Sequence, residues 1–318
     1  MDALTNMLNE FRSAGALLGK SLMTPPWSVR FTEGASMTLV TMLRGEGWVV
    51  PDGAPPVRLQ HRDVAIVQGP TSFTLASEID STVDVLYVLT EDGVCTDGTG
   101  SVLTDEICLD VRTCGTRLDA EHALLTGSFT LTGRVAERLL ASFPRVLVVP
   151  HHEQRSAALK LLEAELVRDE PGQQAVLGRF LDLVLIGTLR DWLALPGSAV
   201  PGWHRASADP VVGAALAAIH DDPARPWTVE SLARTARASR ATFARQFAEV
   251  IGEPPIAYLT GWRLCLAADL LERSEDTVES IARQVGYSSA YALSTAFTRQ
   301  FDIRPSRYRT MMAGAASI

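Results

Sequence analysis

Arginine supplies every basic side chain after Pro210. Twelve arginines, no lysine and 11 acidic residues leave that third at +1. The residues before it carry 17 basic against 26 acidic side chains, so the whole-chain charge of −8 belongs to the first two thirds. Guanidinium forks suit bidentate contacts with guanine edges and phosphate oxygens. The last third therefore has chemistry suited to duplex DNA, despite the acidic total. The same charges would also suit an ordinary solvated helical surface, so their placement has to decide.

Other reactive side chains are sparse. Cys108 and Cys114 form a C-x5-C pair, with Cys95 upstream and His122 downstream. Such thiols suit a redox switch or a metal clip, or equally two inert buried side chains. His151-His152 follows Pro150 in an expected loop, where adjacent imidazoles are usually solvated. Cys265 lies between Leu264 and Leu266 and reads as core. Four cysteines at irregular spacing make no disulfide framework. No catalytic set, no metal site and no cofactor is expected.

The elements that must carry the arginines repeat. Leu232-Ala233-Arg234 aligns with Ile281-Ala282-Arg283, then Phe247 with Phe297, Pro255 with Pro305 and Tyr258 with Tyr308. Each copy fits a helix-turn-helix. Thr228 and Thr277 are expected to cap the first helices, with Ser231 in the first turn after Thr228. Ser239 is expected to cap the second helix of the first copy, with Phe243 and Phe247 inward. Arg240, Ala241, Ala244 and Arg245 then fall on the outer face. In the second copy Leu293, Phe297 and Phe301 face inward, leaving Ser289, Ala290, Tyr291, Ser294, Thr295 and Arg299 outside. Between the copies, Pro254-Pro255 opens a helix expected to reach Glu272 or Arg273, about 27–30 Å long. Successive major-groove faces lie about 34 Å apart, so one rod of this length suits two reading helices. A helical bundle with no nucleic-acid role fits the same pattern.

The rest of the chain divides by composition. Residues 1–130 carry short apolar runs between Gly/Pro turns, such as Thr38–Leu43, Val64–Val67 and Phe73–Ala76, which suggests a sandwich or barrel. Ala3–Leu18 reads as a short helix. Residues 131–195 carry helical periodicity over Arg134–Phe143, Gln154–Val167 and Gln173–Leu193. Pro196-Gly197 and Pro201-Gly202 mark residues 196–209 as a linker, so the last domain is expected over 210–318. There is no apolar run near the roughly 18 residues of a membrane span. The N-terminal residues lack a signal-peptide pattern. A cytoplasmic protein with no membrane partner is expected.

The string AYLTGWRLCLAADLLERSEDTVESIARQVGYSSAYALSTAFTRQFDIRPSRYR closely resembles the signature of the AraC/XylS family of bacterial transcription regulators. The resemblance covers about a hundred residues and implies a bi-lobed, seven-helix domain with two helix-turn-helix motifs. Carried over by position, Arg240, Ala241, Ala244 and Arg245 occupy the first reading helix, and Ser289, Ala290, Tyr291, Ser294 and Thr295 the second. The chain departs from the family at Leu293, where Phe is usual, at Thr295, where Arg is common, and at Asp302, where Gly is common. The earlier strands resemble the cupin sensor half of one subgroup. Arg44-Gly45-Glu46-Gly47-Trp48 is similar to the first cupin motif's glycine turn, and Val57–Val64 to the lead into the second. There is no His over residues 38–45, and only Ser72, Phe73 and Thr74 stand where the second-motif His would fall.

The fold expected is thus α+β and multidomain: a cupin-like β-barrel with amphipathic helices, then an all-α bi-lobed DNA-binding domain. The expected function is sequence-specific regulation of transcription through double-stranded DNA, with RNA polymerase as a further partner. Control would come from an unknown small-molecule or redox effector. Met37, Met42, Trp48, Phe73 and Tyr87 are candidates for an apolar effector pocket, or simply for barrel core. Cys108 and Cys114 are the redox candidates. The helices over 131–195 suit a homodimer, as in related regulators, or packing on their own barrel. The alternative reading is a metal-dependent cupin enzyme with a DNA-binding tail.

Overall fold

The computed structural model describes residues 11–13, 18–32, 34–79, 85–89, 94–97, 99–103, 107–110, 113–131, 133–168, 170–198 and 200–315. The chain forms two compact units, and neither is continuous in sequence. The β unit holds residues 11–131 and 143–199; the helical unit includes 132–142 and 200–318.

The β unit contains β1 (Phe11–Ser13), β2 (Gly19–Met23), β3 (Ser28–Phe31), β4 (Met37–Arg44), β5 (Gly47–Pro51), β6 (Val57–Leu59), β7 (Val64–Gln68), β8 (Phe73–Ala76), β9 (Val85–Leu89), β10 (Cys95–Thr96), β11 (Cys108–Asp110), β12 (Thr113–Gly115), β13 (His122–Leu131) and β14 (Val146–Val149). One sheet runs β11-β12-β2-β13-β4-β7-β14 with β1 also on β13; the other runs β10-β9-β3-β8-β5-β6. Trp27, Val29, Val40, Met42, Val49, Phe73, Leu75 and Tyr87 are among the residues filling the core between them. This is the two-sheet architecture that the turn spacing and alternating apolar runs imply.

Three sequence expectations change here. The N-terminal helix expected over Ala3–Leu18 is not formed at Phe11–Ser13, which instead pairs antiparallel with Leu131, Thr130 and Phe129 of β13; residues 1–10 and 14–17 lie outside the described ones. β2 pairs with the other end of the same β13 edge, Thr126 back to His122. Local helical propensity yields to an open ladder whose N–H and C=O groups need partners. Residues 131–195 are not wholly helical, because Val146–Val149 forms β14 and closes the β7 edge. Four apolar residues in a row fit a buried strand as well as a helix. The helices of this stretch are α1 (Arg134–Leu140), α2 (Ala158–Leu166) and α3 (Gln173–Ala194). Finally, the linker expected over 196–209 contains α4 (Gly202–Ala208). Its Trp203 and Ala206 are buried, and the Trp203 indole donates to Ser142 Oγ at 2.8 Å. The Pro/Gly pairs lie before this helix and at its start, where a missing N–H does no harm.

The helical unit continues with α5 (Val212–Asp221), α6 (Val229–Thr235), α7 (Arg240–Ile251), α8 (Pro255–Arg273), α9 (Val278–Gln284), α10 (Ala290–Phe301) and α11 (Pro305–Ala315). Among the described residues no helix is long and apolar enough to cross a membrane.

The two lobes share left-handed backbone positions but distribute glycine differently. In the first lobe Arg237 turns at φ 54° and Gly252 ends α7 at φ 95°; in the second Gly286 turns at φ 82° and Asp302 ends α10 at φ 55°. A non-glycine residue there bears a steric penalty that glycine escapes, partly offset by glycine's greater unfolded-state entropy. Asp302→Gly is expected to stabilise the helical unit by roughly 0.5–1 kcal/mol. Equilibrium urea unfolding checks this, and a destabilised variant would contradict it.

Candidate nucleic-acid interface

The first reading helix is set by a cap and two phenylalanines. Ser239 Oγ accepts from Thr242 N at 3.2 Å, satisfying one free N–H at the start of α7. Thr228 caps α6 in a capping box with Ser231. Phe243 and Phe247 are fully buried, in edge contact with 5.6 Å between ring centroids. Their spacing fixes the opposite stripe of α7, where Arg240, Ala241 and Arg245 are exposed and Ala244 is half-buried. Arg245 pairs with Glu249 at 3.0 Å, and both side chains are well exposed. An i, i+4 pair of this kind contributes only a few tenths of a kcal/mol, so the guanidinium can change partners.

The second lobe repeats the plan with shorter side chains. Thr277 caps α9, and Ser289 Oγ accepts from Ala292 N at the start of α10. Glu279 Oε2 accepts from Ala290 N at 2.8 Å, fastening the turn between the helices. Leu293 and Phe297 are buried beneath. On the outer stripe Tyr291 is 82% exposed, Thr295 and Arg299 are exposed, and Ser289, Ala290 and Ser294 are half-buried. Thr295 Oγ1 donates to Tyr291 O at 3.0 Å, which commits its one proton to its own helix. An open hollow of about 770 Å³ follows this stripe, lined in part by Tyr291, Thr295, Arg299 and Arg304. Arg304 and Arg307 are also exposed.

Helix α8 holds both lobes, and α1 is fastened along it. Pro255 occupies its first turn, as expected, and the helix runs 19 residues to Arg273. Tyr258 and Trp262 pack with the first lobe. Tyr258 meets Phe247 edge-on, and His220 stacks on Trp262 with its Nε2 2.8 Å from Tyr258 Oη. Burial lowers the His220 pKa to about 4, so the ring stays neutral. Leu264, Ala267, Ala268 and Leu271 enter the second lobe's core.

From α1, two arginines one turn apart reach the repeat-equivalent tyrosines. Arg138 lies 4.8 Å from the Tyr258 ring and pairs with Glu253. Arg134 lies 5.7 Å from the Tyr308 ring and donates to its hydroxyl at 3.1 Å. Asp269 on α8 accepts from the backbone N–H groups of Arg134 and Val135, capping a helix that lacks a capping side chain of its own. A Cβ at Gly261 would run into the Arg138 guanidinium, so any side chain there would have to displace that group. In the sequence, Gly261 and the Arg134/Arg138 spacing are the local signals of this docking, and neither names its partner.

The other candidates sit in the β unit and do not converge. Met42, Phe73 and Tyr87 share the intersheet core. Met37 has the opposite strand parity from Met42 on β4 and faces the other side of the sheet, paired with Phe129. Trp48 alternates with buried Gly47 and Val49 and is half-buried. The five therefore do not line one pocket, because the side-chain period of two divides them. The Cys108 backbone stands opposite Cys114 in register; its side chain is outside the described ones. Cys114 packs against the intersheet cluster that includes Cys95. His151 and His152 are exposed, and burial pushes the Cys265 thiol up to about 11. Among the described residues no three His, Cys, Asp or Glu side chains form a group that could hold a metal ion.

Residues 2–194 match the family described as Cupin, and residues 232–311 match one described as Helix-turn-helix domain. A Streptomyces lividans protein described as an AraC-like transcription regulator is 34% identical over 317 residues, covering 97% of this chain and 98% of its own. The HTH-type transcriptional regulator AlkR of Acinetobacter baylyi is 38% identical over 201 residues, covering 60% of this chain and 64% of its own. The DNA-binding domain of AdpA, solved with a target DNA, is 33% identical with a TM-score of 0.32, covering 34% of this chain and 96% of that one.

Burial raises the Asp269 pKa from 3.8 to about 6, against the pull of its two N–H donors and Arg273. Its protonated form is thus favoured in the fold, and that preference is lost as pH rises from about 4 through about 6. Asp269→Asn removes this titration. The variant's stability relative to the parent should climb across that window by on the order of 2 kcal/mol and then level off. Urea unfolding at several pH values, followed by helical circular dichroism, measures it. A difference that stays flat or falls would contradict the assignment.

Proposed function

The chain belongs to the AraC-like transcription regulators, cupin half first and helix-turn-helix half last, and from that premise we propose that α7 and α10 read adjacent major grooves of double-stranded DNA. The observation carrying this is the pair of capped, arginine-bearing helices built on one helix of 19 residues. At about 1.5 Å per residue that helix is about 28 Å long, within one helical turn of DNA.

The first lobe does most of the base reading. Arg240 and Arg245 offer guanidinium forks, with Ala241 and Ala244 letting the helix approach closely. The second lobe mainly holds the duplex. Tyr291, Ser294 and Thr295 offer an aromatic face and short hydroxyls, Ser289 and Ala290 sit at the helix start, and Arg299, Arg304 and Arg307 suit phosphates.

The β unit takes the signal, from a small molecule or an oxidant, and RNA polymerase is the partner downstream. Exposed Leu161, Val167, Val176 and Leu183 on and beside α2 and α3 support a homodimer through that hairpin. We read the chain as a cytoplasmic protein and not an enzyme, since Ser72, Phe73 and Thr74 stand where the cupin resemblance would place an imidazole ligand.

Two variants separate the lobes. Arg245→Ala is expected to relax specificity at one or two base pairs in one half of the operator, losing about 1–3 kcal/mol of discrimination. Thr295→Ala should change specificity little, because its hydroxyl proton already goes to Tyr291 O. Titration of both against single-base operator variants checks this. A larger shift from Thr295→Ala than from Arg245→Ala would reverse the assignment of lobes.

A further inference from the structure

Where β10 of one sheet comes against β12 of the other, two contacts cross between the sheets. Ser21 Oγ and Tyr87 Oη are 2.5 Å apart, joining β2 to β9. Beside them Cys114 of β12 packs against the same intersheet cluster that holds Cys95 of β10. The ladders fix this arrangement. Cys114 stands opposite Ser21 in the parallel β12–β2 pair, and Cys95 stands opposite Leu89 on β9, two residues after Tyr87. Tyr87 and Cys95 are buried, whereas Cys114 is only half-buried. One sulfur therefore meets solvent and the other waits behind it. Hydrogen bonding with the neighbouring Cys95 thiol holds Cys114 below the ordinary range, against the effect of burial. Burial pushes the Tyr87 phenol up, so it stays neutral beside the sulfurs and adds no opposing charge.

We propose that Cys114 and Cys95 form a redox-active dithiol that a hydroperoxide closes into a disulfide between the two sheets. The Cys114 thiolate attacks the outer peroxide oxygen. The O–O bond breaks, Cys114 becomes a sulfenic acid, and the departing alkoxide takes up a proton to leave as an alcohol. The Cys95 sulfur then attacks the Cys114 sulfur. An S–S bond forms, and the hydroxyl leaves as water with the Cys95 proton. Two thiols are oxidised by two electrons and one peroxide is reduced. Both cysteines belong to one packed cluster between the sheets, and a disulfide needs their Cα atoms within about 7 Å. This pairing differs from the C-x5-C pair read from the sequence, in which Cys108 was the partner. The dithiol stands independently of DNA binding; that its closure alters operator affinity rests on the function proposed above.

The test treats the reduced full-length protein with tert-butyl hydroperoxide and maps its peptides without reduction. A Cys95–Cys114 cross-linked peptide is expected, and it should persist in Cys108→Ser. It should vanish in Cys114→Ser. In Cys95→Ala a sulfenic acid should accumulate on Cys114, trapped by dimedone. Cross-linking of Cys108 to Cys114 instead, or no cross-link in the folded wild type, overturns the proposal without relying on any variant's stability. Operator titration of the reduced protein runs alongside. Failure to bind DNA there, with the cross-link formed, counts against the regulator reading and leaves the dithiol standing.

Discussion

The reading half of the molecule depends on one helix being buried on behalf of two lobes. Tyr258 and Trp262 complete one core, and Leu264 through Leu271 complete the other. Small lobes bury little apolar surface by themselves, and sharing α8 adds side chains to both cores. The shared helix also fixes the separation of α7 and α10 by covalent length, which a flexible connection would leave loose. On the function proposed, specificity follows from what each lobe shows outward: guanidinium forks on one, short hydroxyls and an aromatic ring on the other.

Charge in this half is kept exchangeable where it faces out and committed where it faces in. Arg245 has an exposed, weakly held carboxylate partner. Arg134 and Arg138 are tied to aromatic rings, a phenol and carboxylates within the unit. Guanidinium side chains thus fill two roles on one surface, and their counter-ions distinguish them.

Much of the architecture was legible because local rules and tertiary demand agreed. The repeat placed both helix-turn-helix motifs, and Thr228, Ser239 and Thr277 cap the helices they were expected to cap. The bounds of α8 followed from Pro255, and several strands from alternating apolar runs. What stayed hidden depends on distant partners. Phe11–Ser13 is a strand because β13 has an open edge, and Val146–Val149 because β7 has one. Met37 and Met42 part because one strand has two faces. Cys114 comes near Cys95 because two sheets meet there, and spacing along the chain carries no record of that.

The helical unit draws its α1 from residues 132–142, between two segments of the β unit. That arrangement bears on how such regulators exchange their parts. A gene fusion joined at the Pro/Gly stretch near Pro196 would transplant the reading helices without Arg134, Arg138 and the backbone amides that meet Asp269. The recipient would have to supply a foreign helix against Tyr258 and Tyr308, or leave the half-buried Asp269 carboxylate without its donors. Sensor and reader can be recombined freely along this chain only if the short helix travels with the reader, as a third and separate piece of inheritance.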